Sequence, residues 1–445
     1  MRGGLVALTL AMSAMAQTPA GQTVPLDLRK AVEIALAPDG STRAQLAEEA
    51  VKQAEARRDE ARAALLPNID GYFQGENFTR NLRAFGIVLP RIPIPGYTFA
   101  LPAVVGPIDN WDARATGTQT VFDFSTFLRY KAGRAGVDAA RSDRDSTRNQ
   151  VTDQVARAYL TAIRADAALE TAQADVALSQ SLVELAQRQK NAGTGTGIEI
   201  TRQQVQLAND RQHLLEAETQ RDRAHLELLK TLGLRLDMNI ELTDKLSFHP
   251  AESMDPAQAV AAAKKNRAEL HAQQQREHIA RMNYDAAKFE RLPSVTAFAD
   301  YGTIGLALND TIPTRTYGAT LRIPIFNGGR RDAERAESAS QYRQERIRTA
   351  DLRDQVELEV REAIDSLHSA AAQVQAGEDG LKLAEDELAH AQRRYTSGIT
   401  NSIEVTDAQT RLVRARDNRI TALYNYNLAR IDLGTAMGDS QSFLP

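Results

Sequence analysis

Glu404 and Asp407 stand three positions apart, which on a helix places them one turn apart on one face. Two carboxylates that close repel, raise one another's pKa and attract cations. At a helix start, the same acids also simply favour the macrodipole. The run Gly193-Thr194-Gly195-Thr196-Gly197 presents backbone N–H groups of the kind that cradle phosphate. No Lys-Ser/Thr pair follows it and no strand precedes it, so a turn requiring φ > 0 explains its glycines better. His271 and His278 lie seven apart without acidic ligands at metal spacing, and they read as exposed helix. The chain has no cysteine, which excludes disulfides, thiolate metal sites, Cys nucleophiles and a lipid anchor on an N-terminal Cys. No Ser/His/Asp constellation can be localised. The residues therefore point to no catalytic group, metal or cofactor, and not to an enzyme.

The elements that would position such residues come from composition and pattern. The 445 residues are 42% hydrophobic and 25% charged, with 54 Lys plus Arg against 58 Asp plus Glu and a net charge of −4. That balance argues against a nucleic-acid partner, which needs a basic excess. With a mean hydropathy of −0.40 and no mature apolar run of about 18 residues, a spanning helix is excluded. A transmembrane β-barrel is not, because alternating strands leave little hydropathy trace. Residues 1–16 read as a signal peptide: Arg2, an apolar run from Leu5 to Met12, then Ala14-Met15-Ala16 before the mature Gln17. The mature chain is expected to be exported.

The chain is written twice. Ala186–Thr201 lies over Ala391–Thr406 without a gap at an offset of 205, and the same offset pairs Gly233 with Gly438. A period near 200 is too long for a solenoid and indicates a duplicated domain, 17–240 and 241–445. No proline occurs from 108 to 249 or from 325 to 444, so long helices can run unbroken there. Val155, Ala162, Leu169, Val176 and Val183 recur every seven residues, with Ala158, Ala165, Ala172 and Ser179 three places after them. Val360, Leu367, Val374, Leu381, Leu388 and Tyr395, with Ala363, Ala370, Gly377, Ala384 and Ala391, repeat the pattern. Such heptads predict left-handed coiled coils. Long helices are expected from about Phe127 to Lys190 and Gly329 to Tyr395, roughly 100 Å each at 1.5 Å per residue. Return helices follow at Glu199–Leu232 and Glu404–Met437. Two shorter helices, about Thr42–Leu66 and Pro256–Leu292, make up the missing half-length beside each return helix.

Alternating segments fall only between each Leu-Pro and each long helix. Residues 68–78 and 113–123 predict one pair of strands, and 294–303 and 314–323 another. The proline-rich stretch 79–112, with Trp111, reads as an exposed irregular loop. Four strands cannot close a barrel, and open edges in lipid cost several kcal/mol per orphaned group. Copies of the chain must then share one barrel, which makes a conduit.

Ala64-Leu-Leu-Pro67, Arg291-Leu-Pro293, Pro324-Ile-Phe-Asn-Gly-Gly329 and Arg393-Arg-Tyr-Thr-Ser-Gly-Ile399, ordered across two copies, resemble the TolC-type outer-membrane efflux proteins over about Leu26–Gly438. The resemblance implies a mainly α chain of long coiled-coil hairpins, forming an α-barrel tunnel, plus four strands contributing to a trimeric twelve-stranded transmembrane β-barrel. It implies a homotrimer in the outer membrane of a Gram-negative-type cell, in contact with outer-membrane lipid, with its helical part in the periplasm. Its partners would be a periplasmic adaptor and an inner-membrane pump of RND or ABC type. On the same resemblance, Gly193 and Gly398 are tip glycines of the adaptor-docking turns 191–198 and 396–403. The apolar residue expected after each is Ile399 in the second tip and Thr194 in the first. Glu199, Glu404 and Asp407 fall at the acidic positions, Tyr395 at the gate tyrosine and Thr400 where the family has a gate arginine. Threefold symmetry would then set six carboxylates, from Glu404 and Asp407, around the periplasmic entrance as a cation ring. The rival reading is a soluble periplasmic coiled-coil scaffold in which the strands are loop-like caps.

Overall fold

A computed structural model of the chain describes residues 24–87, 92–94, 96–99, 102–250 and 254–439. The expected signal peptide, residues 1–16, lies outside the described residues. In chain order the elements are β1 (Val24–Leu26), α1 (Leu28–Leu36), α2 (Thr42–Ala63), β2 (Asn68–Asn81), β3 (Ile92–Ile94), β4 (Tyr97–Phe99), β5 (Val104–Phe122), α3 (Phe124–Asn191) and α4 (Gly197–Leu232). Then come β6 (Ile240–Leu242), α5 (Pro256–Asn266), α6 (Ala268–Phe289), β7 (Ser294–Ala307), β8 (Asp310–Arg322), α7 (Arg330–Thr396) and α8 (Ser402–Met437). The chain divides into two compact units, one of residues 24–51, 139–273 and 348–439, the other of 52–138 and 274–347.

The first unit is helical. Its apolar clusters follow the heptads, but the two long helices keep register differently. On α7 the seven-residue seam reaches the end: Val360, Leu367, Val374, Leu388 and Tyr395 are all buried, as are Ala363, Ala370, Ala384 and Ala391, with Leu381 and Gly377 half-buried between them. On α3, Val155 and Ala162 are buried, but Val176 and Val183 are only half-buried, while Asp175, Ser179, Leu182 and Ala186 take the interior. Ser179 lies on the expected seam and is fully buried. A straight helix drifts about 20° per heptad from a 3.5 repeat, and beside Ser179 the residue Asp175, outside that seam, is turned inward in place of Val176. The heptad expected for α3 therefore holds at Val155, Ala162, Ala165 and Ser179 and loses register at Val176 and Val183.

Two further features of this unit depart from expectation. The segment 24–36 forms a strand and a helix, with Asp27 capping α1 by accepting from the Lys30 N–H at 2.7 Å. β1 pairs in parallel with β6, and the fully buried Tyr159 ties them down through bonds to the Leu26 carbonyl and the Asp244 carboxylate, each 2.8 Å. The expected single helix 256–292 is two helices, α5 and α6, broken at Arg267, whose backbone is extended. The guanidinium of Arg267 is buried there, donating to Glu359, Glu269 and the Ala436 carbonyl.

The second unit is built on an antiparallel sheet in the order β2-β5-β7-β8. Register puts paired residues on one face, and the two faces differ. One carries Asp70, Gln74, Asp112, Arg114, Thr116, Asp300, Thr314 and Thr316, with Tyr72, Phe298, Ile304 and Ile312 among them; the other carries Ile69, Phe73, Trp111, Ala113, Ala115, Ala297, Ala299, Tyr301, Tyr317, Ala319 and Leu321 and is the more apolar. On the polar face Arg114 binds Asp112, Asp300 and the Thr314 hydroxyl. On the apolar face Ile69, Phe73, Tyr301, Tyr317 and Leu321 are exposed. β2 and β8 leave outer edges unpaired among the described residues.

The first hairpin corrects the loop expected over 79–112. β2 runs on to Asn81 and β5 begins at Val104, so Trp111 lies within a strand. The cause is a contact between strands: Phe73 stacks on Trp111 with centroids 5.7 Å apart. Gly75 opposite leaves the room, since a Cβ there would fall 2.6 Å from the indole. Likewise β7 and β8 extend towards each other and meet in a two-residue turn, Leu308-Asn309. At the other end of the sheet Phe124 of α3 packs edge-on against Phe289 of α6 at 4.7 Å.

Candidate functional site: the helical tips

Both long helices of the first unit stop in the same way. Gly193 (φ +78°) and Gly398 (φ +70°) take the left-handed conformation. The Gly193 N–H donates to the Lys190 carbonyl and the Thr194 N–H to the Gln189 carbonyl, both 3.0 Å; Gly398 to Tyr395 and Ile399 to Arg394 repeat the pattern at 3.1 and 2.9 Å. This glycine cap satisfies the last carbonyls and reverses the chain. It explains both tip glycines without any phosphate.

The return helices are capped by different side chains. At α4, Glu199 reaches back and accepts from the Thr196 N–H at 2.8 Å. At α8 that work falls to Asn401, which accepts from the Ile403 N–H at 3.0 Å. Glu404, at the place equivalent to Glu199, instead accepts from the Thr400 hydroxyl and lies 3.4 Å from Arg394 Nε. Arg394 thus supplies a cation beside Glu404 where Thr400 replaces the expected arginine. Asp407 is exposed and has no ion-pair partner among the described residues. The structure therefore brings Thr400 and Glu404 together, spends Glu199 on a helix end and leaves Asp407 free.

Tyr395 is 5% exposed and sits among Leu182, Leu388, Ala391, Val405 and Ala408. Its phenol oxygen has no hydrogen-bond partner, while its carbonyl accepts from Gln189 Nε2 at 3.2 Å. Burial, and secondarily the Glu199 charge, pushes its pKa up. A buried phenol lacking a partner costs free energy of about 1–3 kcal/mol, so this side chain packs at the expense of its hydroxyl. Near it the second tip exposes an apolar side chain among polar ones: Ile399 is 70% exposed. At the first tip, where Thr194 bonds back to the Gln189 carbonyl, Ile198 is 67% exposed. Each tip thus presents an isoleucine, and the one at Ile198 was hidden in the sequence by its place four residues past Thr194.

A feature missed entirely in the sequence lies behind the tips. α8 meets α3 and α4 through polar groups: Arg202 to Ser402 at 2.8 Å, Gln203 to Thr406 at 3.1 Å, and Gln409 to Ser179 and Asp210. Gln206 completes Asp210 at 2.9 Å, and Arg416 pairs with Asp175. Gln203, Gln409, Ser179, Asp210 and Asp175 are all buried. Burial raises the Asp175 pKa even against Arg416. α7 meets α8, by contrast, through the apolar cluster of Leu388, Ala391, Tyr395, Val405, Ala408 and Leu412. No signal pointed to the polar seam, because α4 and α8 were read only as return helices.

Among the described residues, no three His, Cys, Asp or Glu are grouped to hold a metal, and no helix is long and apolar enough to cross a membrane. His271 binds the Lys265 carbonyl at 2.7 Å.

Comparison with known proteins gives these elements a setting. Residues 41–234 and 259–439 match a family model described as "Outer membrane efflux protein". Pyoverdine export outer membrane protein OpmQ of Pseudomonas putida is 24% identical over 74% of this chain and 70% of its own length. Proteases secretion protein PrtF of Dickeya chrysanthemi is 22% identical over 98% and 93%. Among solved structures, the fold is similar to outer membrane protein VceC of Vibrio cholerae (TM-score 0.76, 19% identity, 93% of this chain and 96% of that one). It is similar too to the CmeC outer membrane channel of Campylobacter jejuni (TM-score 0.76, 15% identity, 93% and 86%).

Proposed function

Because the chain belongs to the outer membrane efflux protein family, we propose that three copies of it close one twelve-stranded barrel and one helical tunnel, and that the tips are its periplasmic entrance. The chain is an outer-membrane channel protein through which an export system passes its cargo. The trimer is supported by one observation above all: a four-stranded sheet with an apolar face, a polar face and two unpaired edges. In a bilayer only closure satisfies those edges. Four strands per chain make twelve in three copies, with the Arg114 face turned to the lumen and the Phe73–Tyr317 face to lipid. The soluble-scaffold reading gives no reason for an exposed aromatic sheet face.

The tips carry the second part of the proposal. Ile399, Thr194 and Ile198, held out by the caps at Gly398 and Gly193, form the surface for a periplasmic adaptor, which links the channel to an inner-membrane pump of RND or ABC type. Glu404 and Asp407 ring the entrance, Tyr395 packs the hairpin behind them, and Glu199 and Thr400 hold the turns. The two halves, 17–240 and 241–445, are read as one duplicated domain; the double match to one family model supports this. Relatives of like identity have names that include pyoverdine export, alkaline protease secretion and toluene efflux. That spread suits a duct whose cargo is chosen by the pump.

Single-channel recording tests the ring. In planar bilayers, block by a trivalent cation is expected to weaken about tenfold or more in Glu404→Gln/Asp407→Asn, the scale on which focused charge concentrates counter-ions. Asp407→Asn alone is expected to remove more of it than Glu404→Gln, since Glu404 is already engaged by Arg394 and Thr400. Unchanged block in the double variant would refute the ring.

A further inference from the structure

The apolar face of the sheet carries one cation that nothing in the chain explains. Over the regularly paired stretch up to Asn77 and Asp109, the odd positions of the four strands include only two charged residues, Asp109 and Arg315. Asp109 accepts from Asn77 Nδ2 at 2.7 Å. Arg315 is exposed and has no ion pair among the described residues. Across the ladder it faces Tyr301, and two residues along its own strand on the same face is Tyr317; these rings are 64% and 79% exposed.

An unpaired guanidinium on a lipid-facing surface is tolerated only where its head reaches polar groups. The strand places Arg315 at such a level. The lowest exposed apolar odd position is Ile325, 93% exposed, just past the base of β8. Within β8, from Leu321 up to Arg315 is six residues, about 15 Å along the barrel axis at about 3.3 Å per extended residue and a tilt of about 40°, and the exposed Ile323 and Ile325 extend the apolar surface below the strand. An apolar band of about 25 Å that begins at those residues ends near Arg315. Tyrosines collect at that boundary, and Tyr301 and Tyr317 flank Arg315 there. A neighbouring copy does not supply the counter-charge either, because β2 offers Ile69, Gly71, Phe73 and Gly75 on this face, without a carboxylate.

We propose that Arg315, with the phenols of Tyr301 and Tyr317, is a binding site for the phosphate of a lipid headgroup in the outer leaflet. The guanidinium takes phosphate oxygens in fork geometry and the phenol hydroxyls donate to the same group. The site fixes the height of the barrel. It rests on the reading of the sheet as part of a membrane barrel.

The test uses the purified full-length protein in phosphate-free detergent, titrated with bisphosphorylated lipid A, its dephosphorylated form and inorganic phosphate. Wild type is expected to bind bisphosphorylated lipid A about fivefold more tightly than Arg315→Gln, the usual worth of one cation at a charged membrane surface. Arg315→Lys should keep most of that affinity, and dephosphorylated lipid A should bind wild type as weakly as the lipid binds the Gln variant. Equal affinity of wild type and Arg315→Gln overturns the site. Equal binding of inorganic phosphate overturns the lipid as its occupant, and loss of the oligomer in Arg315→Gln would assign the residue to a subunit contact instead. Flotation with phospholipid vesicles separates the premise from the proposal: a chain that stays at the bottom of the gradient refutes the barrel, whereas one that floats with unaltered lipid A affinity in the variant refutes only Arg315.

Discussion

Ala319→Arg is expected to destabilise the barrel by about 2–4 kcal/mol per chain, the cost of an arginine near the middle of a lipid-facing strand, while Thr320→Arg next to it costs little. The two residues are adjacent on β8 and pair with Ala297 and Thr296 of β7. Ala319 therefore lies on the face of Ala299, Tyr317 and Leu321, and Thr320 on that of Thr316 and Thr314. In the proposed barrel a charge at Thr320 points into the lumen beside Asp70, Asp112 and Asp300, whereas one at Ala319 must leave water for hydrocarbon. In three copies the penalty recurs three times around one ring. Urea unfolding of vesicle-inserted protein, read by the electrophoretic shift between folded and unfolded forms, measures it. Similar losses in both variants, or none in Ala319→Arg, would mean that the apolar face does not meet lipid.

The second large effect is expected in the helical unit, at the break between α5 and α6. Arg267 is 8% exposed, and its guanidinium holds Glu359 at 2.5 Å, Glu269 at 2.6 Å and the Ala436 carbonyl at 3.2 Å. It therefore joins α6, α7 and the end of α8. Burial opposes its charge, yet the bonds from Glu359 and Glu269 outweigh that and raise its pKa. Arg267→Met keeps the length and apolar stem but strands the carbonyl and both carboxylates. Removing one partner of a buried pair costs about 3–5 kcal/mol. Because Glu269 and Glu359 are about a third exposed and can rehydrate, about 2–3 kcal/mol is expected here. Urea unfolding followed by far-UV circular dichroism gives the value. A loss under about 1 kcal/mol would show that the arginine is packing rather than a joint.

How much of this was readable depended on how local its cause was. The α7 seam from Val360 to Tyr395 was legible because one repeat, held in register, states its own burial. The α3 seam was legible at Val155, Ala162, Ala165 and Ser179 but not at Val176 and Val183, since no single residue announces when a helix has turned past its groove. Gly193 and Gly398 were readable because a positive φ admits little else. The ends of the strands were not: Trp111 belongs to β5 on account of Phe73 and Gly75, which are more than thirty residues earlier in the chain. Arg267 and the buried Gln203, Asp210 and Gln409 were invisible for a related reason. Polar residues on a helix look like a solvated face until the helix that covers them is known. At the tip, the acidic positions matched in sequence, yet Glu199 and Glu404 do different work, one capping a helix and the other facing Arg394.

The barrel effects rest on the open edges of β2 and β8 being closed by other copies of this chain. Because the chain lacks cysteine, Ile69→Cys on β2 and Leu321→Cys on β8 introduce two unique thiols on the outward face near the barrel base. A short bis-maleimide applied to the detergent-solubilised double variant is expected to give a ladder ending at three linked chains, with neither single variant going beyond two. A double variant that stays monomeric, at the mass of one chain, would contradict the shared barrel.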